Sequence, residues 1–167
     1  YAKPSVSALV GAKVIGGSKG KINPLSKVTR AEMAVMLYRA THLTVQGSEV
    51  RAIEIAFAAT EATSAIFLAQ LLLDAAPDGD APLTLTVRYY LNDALVENFR
   101  PQQRLLAGPH TMALFYPFPS VEADTVKRLS VRLCCAGGTV TIAKYGIKAT
   151  VTGQGMASET PWDGTLE

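Results

Sequence analysis

The chain has 167 residues and a mass of 17.7 kDa, enough for one domain and a small appendage at roughly 100–200 residues per domain, which excludes two full enzyme domains. Sixteen Lys and Arg against fourteen Asp and Glu leave a net charge of +2, and a hydrophobic content of 49% excludes a largely disordered chain. The longest apolar run, around Ala65 to Leu73, reaches about half of the roughly 20 residues of a bilayer span. With no basic and then apolar leader at Tyr1, a soluble chain without membrane span or signal peptide is expected. The two cysteines, Cys134 and Cys135, are adjacent and offer neither a disulfide framework nor a spaced metal knuckle.

The charge is uneven. Residues 1–45 carry seven basic residues against Glu32 alone, a surplus of +6, and the remainder carries nine basic and thirteen acidic residues, or −4. This asymmetry predicts two units, the basic one suited to a polyanion such as nucleic acid, a membrane surface or an acidic wall polymer. Within it, Val6, Leu9 and Val10 sketch a short helix with Pro4 in its first turn and Gly11 near its end. A turn-rich connection, Gly16 to Gly20, runs on to Asn23-Pro24. Thr29 and Glu32 then have the spacing of a capping box, with each side chain reaching the other's amide, and open a second helix. Met33, Met36, Leu37 and Ala40 form its apolar face, which needs something to pack on. A helix–loop–helix of about 42 residues is too small to bury a core alone.

From about Val50 the period changes to two. Leu83, Leu85, Val87, Tyr89 and Leu91 alternate with polar residues, and similar alternation marks residues 53–57, 110–116, 129–133, 140–142 and 147–151. Residues 64–74 are apolar at both parities, as in a central strand covered on both faces or, alternatively, a buried helix, and 103–107, the weakest pattern, completes about eight strands. Turn signals at Asp78-Gly79, Asn92-Asp93, Gly108-Pro109, Pro117 to Pro119 and Gly137-Gly138 space them as in an all-β sandwich of jelly-roll type. The expected organisation is therefore a small α-helical unit at 1–43, a linker at 44–47, a β-sandwich at 48–153 and an irregular tail at 154–167.

The order Tyr1-Ala2-Lys3, Val6, Ala8-Leu9-Val10, Val14-Ile15-Gly16-Gly17, Gly20-Lys21-Ile22, Pro24, Val28-Thr29-Arg30-Ala31-Glu32-Met33-Ala34, Leu37 and Arg39-Ala40 resembles one S-layer homology (SLH) repeat. The likeness covers residues 1 to about 42. It implies attachment to a bacterial cell wall through an acidic secondary polysaccharide, in grooves between repeats that are normally three in number. Carried over by position, Arg30 meets the acidic sugar, Glu32 braces it or serves only as the cap, Tyr1 stands where the family usually has Trp, and Gly17 turns the loop beside the ligand. Lys13 stands where Gly is usual, the Ser18 to Lys21 loop is one residue short, and the leading Phe-x-Asp segment is missing before Tyr1. A degenerate repeat kept for docking is the plainer alternative. One repeat needs neighbours, supplied either by upstream repeats or by three chains, and jelly rolls of the tumour-necrosis-factor-like and viral-fibre families pack as trimers.

No catalytic or metal constellation emerges, and no cofactor is expected. His42 ends the second helix, and His110 opens a strand with a structural hydrogen bond as its expected role. Asp78/Asp80 and Glu122/Asp124 fall in polar turns and are expected to be solvated. Cys134 and Cys135 point to opposite faces of one strand. Tyr90 and Phe118 are the aromatic residues expected to be exposed for glycan or partner contact, and Trp162 is expected to latch the tail or meet a subunit. The Gly153 to Gly164 stretch resembles the C-terminal ends of β-rich proteins encoded among phage tail-like genes. The leading expectation is a non-catalytic bacterial surface protein that docks to acidic wall polysaccharide and displays a sandwich for adhesion, glycan binding or assembly. The alternative is a homotrimeric fibre or spike among virion proteins. No nucleic-acid partner is expected in either.

Overall fold

The computed structural model describes residues 3–11, 14–16 and 28–153, which divide between Leu43 and Thr44 into two compact units. In the first, α1 (Lys3–Gly11) holds Pro4 in its opening turn and closes on Gly11. The Val14 amide donates to the Leu9 carbonyl at 2.9 Å, curling the chain back at the helix end. The second helix, α2 (Arg30–Thr41), begins at the Thr29 cap, and none of its residues is buried. Met33 and Leu37, on the face expected to pack, are 50% and 59% exposed. Twelve residues make a marginal helix in water, so this face awaits a cover. The glycine-rich connection, residues 17–27, lies outside the described residues.

The second unit is a sandwich of two five-stranded antiparallel sheets. In one sheet the long β3 (Thr63–Pro77) pairs along its length with β7 (Gly108–Val121). Its opposite side is shared by β10 (Lys148–Gly153) over residues 65–70 and β9 (Gly138–Ala143) over residues 73–77. The first strand, β1 (His42–Val45), borders β9. The other sheet runs β2 (Val50–Phe57), β8 (Lys127–Ala136), β4 (Leu83–Leu91), with β5 (Ala94–Leu95) and β6 (Gln102–Leu105) sharing the far side of β4. Alternate side chains from both sheets fill the space between them: Phe67 and Leu71 from β3, Leu85, Val87 and Tyr89 from β4, Val131 and Leu133 from β8, and Ile142 from β9 are fully buried.

Several expectations change. The described residues form ten strands, because β1 and the two-residue β5 are too short to show alternation. Thr44 and Val45 close β1 in place of the expected linker, and Val45 is fully buried. The double-sided burial expected for 64–74 is absent. β3 is central in its sheet, yet Ile66, Leu68 and Leu72 are 44–48% exposed on its outer face. The turn expected at Pro117 to Pro119 is also absent: β7 continues through it, with an irregularity in its register against β3 between Phe118 and Val121. Pro109 and Pro117 pair with Asp74 and Ile66, an even number of residues apart, so both occupy the class of positions whose backbone groups turn away from β3. On that outward side a proline's missing N–H breaks no ladder bond, and among the described residues β7 pairs with β3 alone.

Two connections show why their residues are needed. Asn92 and Asp93 join β4 to β5 with φ of 48° and 65°, the two-residue left-handed turn that asparagine and aspartate tolerate. Gly138 leads the chain from β8 into β9 where any side chain would stand 2.5 Å from the Ala76 carbonyl oxygen and 2.7 Å from Pro77 Cα.

Candidate functional site

On the helical unit, the capping box is complete. Thr29 Oγ1 accepts from the Glu32 amide at 3.2 Å, and Glu32 Oε2 accepts from the Thr29 amide at 2.8 Å and from its hydroxyl at 2.9 Å. The bond from the Thr29 backbone, then that from its side chain, holds the Glu32 carboxyl below its usual pKa. Because the folded pKa is depressed, this stabilisation is full above the ordinary carboxylate range and is lost as pH falls through the lowered value. We expect amide protection at the start of α2, taken relative to the exchange rate of unstructured chain at the same pH, to fall on acidification, and Glu32→Gln, which keeps the reach without the charge, to remove that loss of protection. An equal acid response in both proteins would refute it. The Glu32 carboxylate is thus engaged as the cap. Arg30, the first helical residue, is exposed, and among the described residues no carboxylate pairs with it. Tyr1 and Gly17 lie outside the described residues, as do Lys13 and the loop around Ser18.

On the sandwich, Tyr90 occupies the outer face of β4, half-buried. The Arg132 guanidinium lies 4.0 Å above its ring, and its hydroxyl donates to Glu49 at 2.9 Å. Arg88 also pairs with Glu49, and Arg132 approaches it at 3.8 Å. Two guanidiniums around one carboxylate leave a local surplus of positive charge, and Tyr90 is already covered. Phe118 is not exposed. It is 4% accessible and packs against Phe57 and Tyr116, each with ring centroids 4.8 Å away. The uninterrupted β7 explains this: Met112, Leu114, Tyr116 and Phe118 share the inward parity, and the outward aromatic is Phe115. Trp162 lies outside the described residues.

The remaining expectations about polar residues hold. His42 follows the last residue of α2 and stacks on Tyr38 at 4.2 Å. His110 meets the Leu106 carbonyl at 2.8 Å. Asp78, Asp80, Glu122 and Asp124 are all exposed on turns or strand ends. Cys135 is buried and Cys134 half-exposed, on opposite faces of β8. Burial pushes the Cys135 thiol pKa up.

A feature the sequence did not disclose lies at the edge of the sandwich where β6 and β7 face each other. An open cleft of about 170 Å³ is lined by Tyr89, Pro101, Gln103, Met112 and Phe115 among others. Phe99, from the connection between β5 and β6, wedges against Tyr89, Tyr116 and Phe115 at centroid distances of 5.3, 5.6 and 5.7 Å. Tyr89 is fully buried. Burial raises its pKa far above the usual value, offset only in part by a hydrogen bond with the Phe115 backbone.

Residues 1–34 match the model of the S-layer homology domain. Among curated proteins, none matches the sequence. Among solved structures, the chain is similar to one described as "CBM4 structure and function", at 20% identity with a TM-score of 0.36, covering 60% of this chain and 59% of that one. It is also similar to an acetyl xylan esterase, Est2A, from the rumen bacterium Butyrivibrio proteoclasticus, at 17% identity and a TM-score of 0.32, over 71% of this chain and 31% of that one. The chain thus spans less than two thirds of either structure.

Proposed function

We propose, taking the S-layer homology segment at residues 1–34 as the premise, that this chain is a non-catalytic bacterial surface protein. The helical unit docks to an acidic cell-wall polysaccharide, and the sandwich is the part displayed for adhesion or glycan contact. The family match carries the reading, and it favours wall attachment over a virion component. The physical chemistry agrees: residues 1–45 hold the basic surplus, and an acidic polymer is the partner such a surface attracts. Arg30 is the proposed polymer contact, because an exposed guanidinium with no carboxylate partner among the described residues can bind an acidic sugar in two-point fashion. Tyr1 and Gly17 complete the proposed binding set, and Glu32 fixes the helix start from which Arg30 projects. The exposed apolar face of α2 calls for further repeats to close the grooves, from a longer chain or from other copies.

The test is retention on purified cell wall carrying the acidic polymer. Arg30→Ala should reduce retention by about tenfold or more, the scale of one lost charge-assisted contact of roughly 1.5–3 kcal/mol. Added salt should weaken the wild type progressively. Equal retention of wild type and variant would remove Arg30 from the site.

A further inference from the structure

We propose that the apolar outer face of β3 and β7 is the seat of this chain's own segment 154–167, with Trp162 as the anchoring side chain. The register assembles the face. Ile66 pairs with Pro117, Leu68 with Phe115 and Gln70 with Ala113, and Leu72 follows one step further along β3. Ile66, Leu68 and Leu72 are 44–48% exposed and Phe115 is 55% exposed, with Ala113 and Pro117 exposed beside them. These apolar side chains lie on two paired strands and are interrupted only by Gln70 and its neighbour Thr111. A continuous apolar patch on the solvent side of a sheet marks a contact surface.

Three observations select the occupant. First, the strand that leads into the segment ends beside the patch: β10 runs antiparallel to β3 and brings Gly153 opposite Ala65, next to Ile66. The Leu68–Phe115 pair lies three residues further along β3, about 10 Å at the rise of a strand. The stretch from Gln154 to Trp162 spans up to about 30 Å when extended, enough to reverse direction and return over the face. Second, Trp162 is the chain's single tryptophan and stands in a polar stretch, Glu159-Thr160-Pro161-Trp162-Asp163-Gly164. A ring that covers roughly 150–250 Å² matches a surface of half-exposed aliphatic and aromatic side chains. Third, the charges are complementary. Residues 154–167 carry Glu159, Asp163 and Glu167 and no Lys or Arg. Lys148 pairs with Gln70 on the border of the patch, is exposed, and has no carboxylate partner among the described residues. Asp74, the outward acid of β3, lies at the far end of the strand from Gly153. A tethered segment also competes at an effective concentration on the order of millimolar, which a second copy in solution does not reach.

The single tryptophan makes the test direct: its fluorescence in the whole chain reports the contact, whatever becomes of wall docking through Arg30. Emission to the blue of free tryptophan, with protection from acrylamide quenching and no dependence on protein concentration, is expected. Leu68→Ser should loosen the docking about fivefold, the effect of losing half the burial of one aliphatic side chain, and adding Ile66→Ser should loosen it by a similar factor again. The double variant should therefore emit further to the red and quench more readily, with circular dichroism showing that its sheets are intact. Leu106, 63% exposed and beyond the opposite end of β7, is the control, and Leu106→Ser should leave the emission unchanged. Wild-type emission at the position of free tryptophan would overturn the assignment. So would blue emission kept by the folded double variant, which would put Trp162 elsewhere, or a blue shift that appears only as concentration rises, which would make a second copy the occupant.

Discussion

Phe67→Ala is expected to lower the stability of the sandwich by about 3–5 kcal/mol, a large share of the roughly 5–15 kcal/mol that holds a domain folded. Phe67 is fully buried in the middle of β3, paired with Tyr116 on one side and Val151 on the other. Its ring meets Tyr89 of the opposite sheet edge-on, at 6.4 Å and 78°, so truncation opens a cavity where the two sheets touch. Neighbouring backbone is held by ladders on both sides and cannot collapse into that space, which puts the cost toward the upper end. The adjacent Leu68 is 48% exposed on the outer face, and Leu68→Ser should cost no more than about 1 kcal/mol. Urea unfolding followed by the sheet signal in circular dichroism reads the contrast, as midpoints compared at a common slope. Similar losses in the two variants would mean that the parity of β3 is not as described.

Gly138→Ala should rank next, at about 2–3 kcal/mol. The new methyl would press on the Ala76 carbonyl oxygen and Pro77 Cα, both backbone atoms of the paired strand. No rotamer relieves that contact, so β9 must shift away from β3, with buried Val140 and Ile142 on it. Gly137 provides the comparison. Its φ is 79° and the nearest atom to an added methyl is 3.9 Å away, so Gly137→Ala meets only the backbone cost of the left-handed region, about 1–2 kcal/mol. Thermal melts of the two single variants order the effects, and a Gly137 variant weaker than the Gly138 variant would contradict the close approach.

How much of this was legible depends on which physical signal each segment carries. The capping box at Thr29 and Glu32 is local chemistry, and it formed as its spacing dictates. The inward sets of β4, β8, β9 and β10 alternate with polar residues and could be read directly. β3 could not, because Ile66, Leu68 and Leu72 are apolar on a face that the sandwich leaves open, and hydrophobicity alone does not say which side has a partner. The prolines of β7 misled for a related reason: a proline ends a central strand but is harmless on an outward edge, and edge position is a property of the whole sheet. Phe118 was misplaced with them. The cleft was hidden altogether, since Tyr89 looks like any core residue along β4 and only the pairing of the whole sandwich brings Phe115 of β7, in the other sheet, beside it.

The outward prolines of β7 also bear on crowding. At high local concentration an unpaired strand is a template for the next molecule's backbone. Between Pro109 and Pro117 only Thr111, Ala113 and Phe115 present outward amides, a stretch too short for a lasting intermolecular ladder. The outward prolines thus make β7 a poor template for a neighbouring molecule's strand.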